Sequence, residues 1–122
     1  MGTPINIKAE KVEILSNSEV LKILKEYSER EKEVTGTIPL LIQRVLEYLH
    51  KFSKIDIERS RELREKLVSF GFKDESIVMI MNICPASVDE LRSLLILEDK
   101  VYETTILEQV VALLKDYCFE EE

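Results

Sequence analysis

Pro85 stands inside Ile83-Cys84-Pro85-Ala86-Ser87-Val88-Asp89-Glu90-Leu91-Arg92, and no regular helix runs through that stretch. Proline has no backbone donor, and it disfavours helical geometry in the residue before it. The apolar spacing on either side is nevertheless helical. One helix must therefore end, turn and give way to another within a few residues. Ser87 is placed to cap the second helix, and Glu90, three residues on, to close a capping box.

Further helices are read by the same logic. Ser16-Asn17-Ser18-Glu19 is a helix start, with Ser16 and Glu19 as a capping box or Ser18 as the cap. Val20, Leu21, Leu24 and Tyr27 follow at helical spacing. The charged stretch 29–37 loses that period and contains Gly36, so it reads as a loop. About five helices are expected beyond it. The first spans about 39–52, with Leu41, Ile42, Val45, Leu49 and Phe52 facing inward. The second starts at Asp56 as cap, carries Leu63, Leu67 and Phe70, and stops at Gly71. The third starts near Asp74 and ends before Pro85, and the fourth runs from Ser87 to about Leu97. The fifth starts near Thr104 and carries Leu107, Val110, Val111, Leu114 and Tyr117.

The first fifteen residues differ. Ile5, Ile7 and Ala9 alternate on one parity, then Val12 and Ile14 on the other. Period two argues a strand, with a bulge or a limit near Glu10 and Lys11. Nothing else in the chain reads as a strand. A lone strand leaves backbone donors and acceptors without partners, so addition to a partner's sheet is the reading that satisfies them.

Composition narrows the function. A 122-residue chain with 45% hydrophobic and 34% charged residues is expected to form one globular domain. No apolar run approaches the ~20 residues a membrane span needs. No secretory pattern opens the chain, and Asn6 stands where a myristoylation motif needs Ser or Thr, so a cytoplasmic protein is expected. The net charge of −7 is uneven. Residues 44–73 carry eight basic and five acidic side chains, a net of +3, while residues 74–122 carry three and twelve, a net of −9. An acidic chain is a poor free nucleic-acid binder, because Lys and Arg contacts to phosphate supply most non-specific affinity.

Chemistry-bearing motifs are sparse. His50 is the single histidine and reads as solvated or half-packed. The three glycines, Gly2, Gly36 and Gly71, form no phosphate loop, and no nucleotide-binding fold is expected. Cys84 and Cys118 fit no zinc or redox spacing and read as buried free thiols; a disulfide is the alternative for a hyperthermophile's protein. Neither metal nor cofactor is expected. Arg59, Arg61 and Arg64 alternate with Glu58, Glu62 and Glu65. That mixture reads first as a solvated helix face, and second as a modest RNA- or protein-facing patch.

The wording of the 83–92 junction resembles a family of archaeal DNA-directed RNA polymerase subunits, the polymerase's F polypeptide. This family is the counterpart of the fourth subunit of eukaryotic RNA polymerase II. It has an Ile-x-Pro turn followed by Asp-Glu-Leu/Val-Arg, and the likeness continues through Ser93-Leu94-Leu95-Ile96. Arg44-Val45-Leu46-Glu47-Tyr48-Leu49 is similar to its Arg-x-x-Glu/Asp-Tyr-Leu helix, and Ser53-Lys54-Ile55-Asp56 to the turn after it. Tyr102 to Tyr117 matches its final helix. The likeness covers most of residues 7–118, is strongest over 42–97 and is weak over 1–35.

The resemblance implies a mainly α protein. It would have an N-terminal strand–helix arm with a charged loop (1–37), an HRDC-like helical domain (38–119) and an acidic tail (120–122). It implies a non-catalytic RNA polymerase subunit that forms the stalk heterodimer with the polymerase's E polypeptide, on the polymerase core. That stalk partner carries an RNA-binding OB-type domain. The family stalk guides nascent RNA, with most RNA contact through the partner, and helps initiation factors open the promoter. Ile5, Ile7, Val12, Ile14 and Leu15 would line the strand interface, and Val20, Leu21, Leu24 and Tyr27 the arm helix. The alternative is a free-standing HRDC-type nucleic-acid-binding module.

Overall fold

The computed structural model describes residues 13–119. Among them the chain is mainly helical and forms no strand. The order is α1 (Asn17–Thr35), α2 (Leu40–Phe52), a 3-10 turn (Ile57–Arg59), α3 (Ser60–Ser69), α4 (Asp74–Ile83), α5 (Val88–Leu94) and α6 (Thr104–Tyr117).

Helix starts follow the expected side chains. The Ser16–Glu19 capping box forms in both directions. Asp56 accepts a hydrogen bond from the Glu58 N–H and so opens the 3-10 turn. Ser87 Oγ accepts from the Glu90 N–H at 3.2 Å. Here the reciprocal bond shifts by one residue: the Glu90 carboxylate accepts from the Ala86 N–H at 2.8 Å. Cys84 ends α4 in the left-handed region (φ 53°), as the proline after it requires a break.

The α3–α6 body holds the core. Leu63 and Leu67 of α3, Ile77 and Ile80 of α4, Leu91 of α5, and Leu107 and Val110 of α6 are fully buried. Phe72 and Tyr102 close one end, their ring centroids 4.8 Å apart. Glu98 ties that end together by accepting from the Lys73 N–H, the Ser76 hydroxyl and the Tyr102 hydroxyl. Burial and the Glu98 carboxylate together push the Tyr102 phenol up to about 12.

Three expectations need correcting. First, residues 29–35 are not a loop; α1 continues to Thr35, where Gly36 at φ 80° caps it. The segment is helical without an apolar stripe because its Glu, Lys and Arg residues favour helix. Second, Leu41 (71% exposed) and Phe52 (46%) of α2 do not face inward; only Leu49 is buried there. The helix packs back along α1 and not into the body. Third, Cys84 and Cys118 are not free thiols. They form a disulfide with Cα atoms 6.2 Å apart.

The expected strand lies partly outside the described residues, which exclude Ile5, Ile7 and Val12. Ile14 and Leu15 are described and are not in a strand. The backbone there is already engaged, because the Ile14 carbonyl accepts from Arg64.

Leu107→Ala should cost about 3 kcal/mol of stability through the cavity it leaves. Leu41→Ala should change stability by less than about 0.5 kcal/mol, because its side chain is already in water. Urea unfolding of both variants checks the assignment of α2 to the surface.

Candidate protein-docking face

The site begins with the anchor of α1. Arg64, 3% exposed on α3, donates from Nε to Glu19 Oε2 at 2.7 Å and from Nη2 to Glu19 Oε1 at 2.9 Å. Its Nη2 also donates to the Ile14 carbonyl. Glu19 Oε1 further accepts from the Ser16 N–H at 3.0 Å and the Ser16 hydroxyl at 2.8 Å. Asn82 of α4 accepts from the Asn17 N–H at 2.8 Å. Burial pushes the Glu19 carboxyl up, but hydrogen bonds from Arg64 and Ser16 outweigh it, and the group titrates below its ordinary range. The first turn of α1 is thereby locked to α3 and α4.

Beyond that anchor, α1 and α2 form an antiparallel hairpin. At 3.6 residues per turn, Leu21 and Ser28 mark the side of α1 that meets α2, and Leu49 the reverse side. Ile23, Tyr27 and Val34 lie about a third of a turn or more from that seam on α1. Leu41, Tyr48 and Phe52 lie about a quarter-turn from it on α2. Because the helices run in opposite directions, both offsets lead to the same side of the hairpin. Six apolar side chains are therefore exposed on the same side of the hairpin, all six more than 40% exposed. Tyr48 and Phe52 contact each other with ring centroids 4.7 Å apart. Arg44 and Lys51 border the face along α2, and Glu26 and Glu33 along α1; all four are exposed.

The opposite side of the hairpin is a groove of about 820 Å³. Leu21, Leu46, Ile55, Ile57 and Phe119 line it, with Lys25, Glu47 and His50.

The expected arm residues divide between these surroundings. Ile14 and Tyr27 are exposed, while Val20 and Leu15 are half-buried. Leu21 is buried, and Leu24, on the same side of α1, is half-buried against the hairpin seam. Sequence reasoning missed Ile23, Val34, Tyr48 and Phe52 as members of an exposed face. Their helical phase on the two helices was the available signal, but it needed the hairpin pairing to be interpreted.

The three arginines do not form one surface patch. Arg64 is buried in the pair just described. Arg61 is exposed and bonds Glu13 at 2.8 Å. Arg59 lies over the Tyr117 ring at 4.1 Å and donates to the Asp116 carbonyl at 2.9 Å. Among the described residues no group of three or more His, Cys, Asp or Glu is placed to hold a metal ion, and no helix is long and apolar enough to cross a membrane.

The described residues thus form a small helical protein with exposed apolar side chains on its α1–α2 hairpin. A family model described as RNA polymerase Rpb4 matches residues 14–118. The chain belongs to that family. It is 27% identical over 84 residues to the DNA-directed RNA polymerase subunit Rpo4 of Sulfolobus acidocaldarius, covering 68% of this chain and 74% of that one. It is 27% identical over 78 residues to the Rpo4 of Saccharolobus solfataricus, covering 63% and 69%. It is 41% identical over 49 residues to the Rpo4 of Methanocaldococcus jannaschii, covering 40% and 43%.

Glu19 titrates below its ordinary value of 4.5, so its contribution is complete above about that pH and is lost as pH falls through the lowered value. Chemical-denaturation stability should therefore fall steeply on the acid side. Glu19→Gln should be less stable at neutral pH and show a shallower acid limb. Arg64→Ala should cost about 3–5 kcal/mol, because it leaves a buried carboxylate unpaired.

Proposed function

We propose that the chain is the non-catalytic small subunit of a DNA-directed RNA polymerase stalk. It pairs with the polymerase's E polypeptide, sits on the polymerase core, and acts in the cytoplasm. The observation that carries this reading is the uncovered apolar face of the α1–α2 hairpin, on a chain of the Rpb4 family. Large exposed aromatic and aliphatic side chains on one face are what a subunit interface needs.

The docking unit comprises the N-terminal arm, 1–37, together with α2. The residues before Glu13 add a strand to the partner's sheet, with Ile5, Ile7 and Val12 setting its register. Tyr27, Tyr48 and Phe52 supply the buried anchors of the interface. The Arg44–Lys51 border selects an acidic flank on the partner, which fixes orientation more than affinity. The HRDC-like body carries this unit. It supports nascent-RNA guidance and the opening of the promoter by initiation factors, with RNA contact made mainly by the partner. A free nucleic-acid module fits less well, because Arg64 is withdrawn from the surface and Arg61 is paired.

Tyr27→Asp and Tyr48→Asp should each abolish co-purification with the E polypeptide, while thermal melting of the lone chain stays within a few degrees of wild type. Leu24→Asp should do both, lowering the melting temperature and weakening pairing, since that residue lies at the hairpin seam. Wild-type yields of complex from both tyrosine variants would place the interface elsewhere.

A further inference from the structure

The Cys84–Cys118 disulfide joins two helix ends that are 34 residues apart in sequence. We infer that it is a thiol–disulfide exchange site whose reduction loosens the base of the α1–α2 hairpin.

Access comes first. Both cysteines are half-buried, not sealed in the core. A cleft of about 610 Å³ opens beside them, lined by Pro85, Leu114 and Phe119, with Lys54 and Lys115 against a single acidic side chain, Glu90. Ammonium groups near a disulfide favour the thiolate that leaves during exchange. The co-reactant is a dithiol reductant. Its thiolate attacks one cysteine sulfur, and the S–S bond breaks. The other cysteine leaves as a thiolate and takes up a proton. The reductant's second thiol then attacks the mixed disulfide, releasing the remaining cysteine. Two electrons and two protons pass to the protein, and the reductant ends as its own disulfide.

The backbone around the bond explains the reach. Cys84 is the sole non-glycine residue with positive φ among the described residues. That conformation is disfavoured for an L side chain and has to be held in place. The bond ties Cys84 to Cys118, which forms an antiparallel bridge with Ile55. One residue on, the Phe119 N–H donates to the Lys54 carbonyl at 2.8 Å. The Lys54 ammonium donates to the Ile83 carbonyl at 3.3 Å, returning to the end of α4. Directly before Lys54, the Ser53 N–H closes the last turn of α2 on Leu49 at 2.8 Å. The bond thus fastens a ring of short contacts, backbone except for the Lys54 ammonium, that ends on the last turn of α2. The inference concerns the chain alone and holds whatever docks on the hairpin.

The test uses the full chain, folded at room temperature. Alkylation with mass detection should find no free thiol in the untreated protein and two after dithiothreitol. Helical circular dichroism should persist. Hydrogen exchange at the Phe119 and Ser53 amides should become about tenfold faster or more, as for a local opening. The melting temperature should drop by about 10 °C, as expected for opening a loop of this size. The Cys84→Ser/Cys118→Ser double variant should match the reduced protein and not respond to dithiothreitol. Four results would each overturn the inference. They are free thiols before treatment, no labelling of the folded protein after it, unchanged exchange at Ser53 once both thiols are labelled, and loss of helical signal on reduction.

Discussion

The Arg64–Glu19 pair sets how the two parts of this molecule meet. Both groups lie almost wholly out of water. Bringing them there costs several kcal/mol per ion, which mutual attraction offsets only if every lone pair and N–H is used. Here the carboxylate takes two guanidinium donors plus the Ser16 N–H and hydroxyl, and the guanidinium also reaches the Ile14 carbonyl. A hydrophobic pair of the same volume could match the stability. It would not fix the angle at which α1 leaves the body, because apolar contacts have no direction. The bidentate geometry does, and the position of the whole hairpin follows from it.

That constraint explains how an apolar face stays open. The core residues of α3–α6 are satisfied among themselves, and α2 finds its buried contact in α1. Neither helix of the hairpin can turn its remaining apolar side inward, since the anchor holds α1 at one end and the seam holds α2 along its length. Ile23, Tyr27, Tyr48 and Phe52 are therefore left facing water by geometry, not by a lack of hydrophobic drive.

Local chemistry was legible in the sequence; long-range pairing was not. The Ser16, Asp56 and Ser87 starts, the Gly71 stop and the Pro85 break all depend on residues within four positions of one another. The family resemblance seen at 83–92 and 44–49 was also sound, since the family match spans 14–118. Amphipathic spacing in α2 revealed an apolar side but not what covers it. A stripe such as Leu41-Tyr48-Phe52 has the same period whether it meets a core or a partner. Arg64 sat in a row of alternating charges, and nothing nearby distinguished it from Arg61. Its burial depends on Glu19, 45 positions away. The cysteines posed the same problem, because only the fold brings the ends of α4 and α6 together.

Both fastenings of the hairpin lie at its base. The ion pair holds the start of α1, and the Ile55–Cys118 bridge holds the chain just after α2. Its turn, at Gly36 and Thr37, is exposed and lies a helix length or more from either fastening along the chain. A helix of 19 residues rises about 28 Å, so small angular freedom at the base becomes displacement of several ångströms at the tip. The two basal points therefore set the direction of the hairpin, and the α1–α2 seam keeps its two helices in register. A docking face held in advance loses less conformational entropy when a partner arrives. A buried charge pair, costly to form on its own, is in this position a means of presenting exposed apolar side chains in one fixed arrangement.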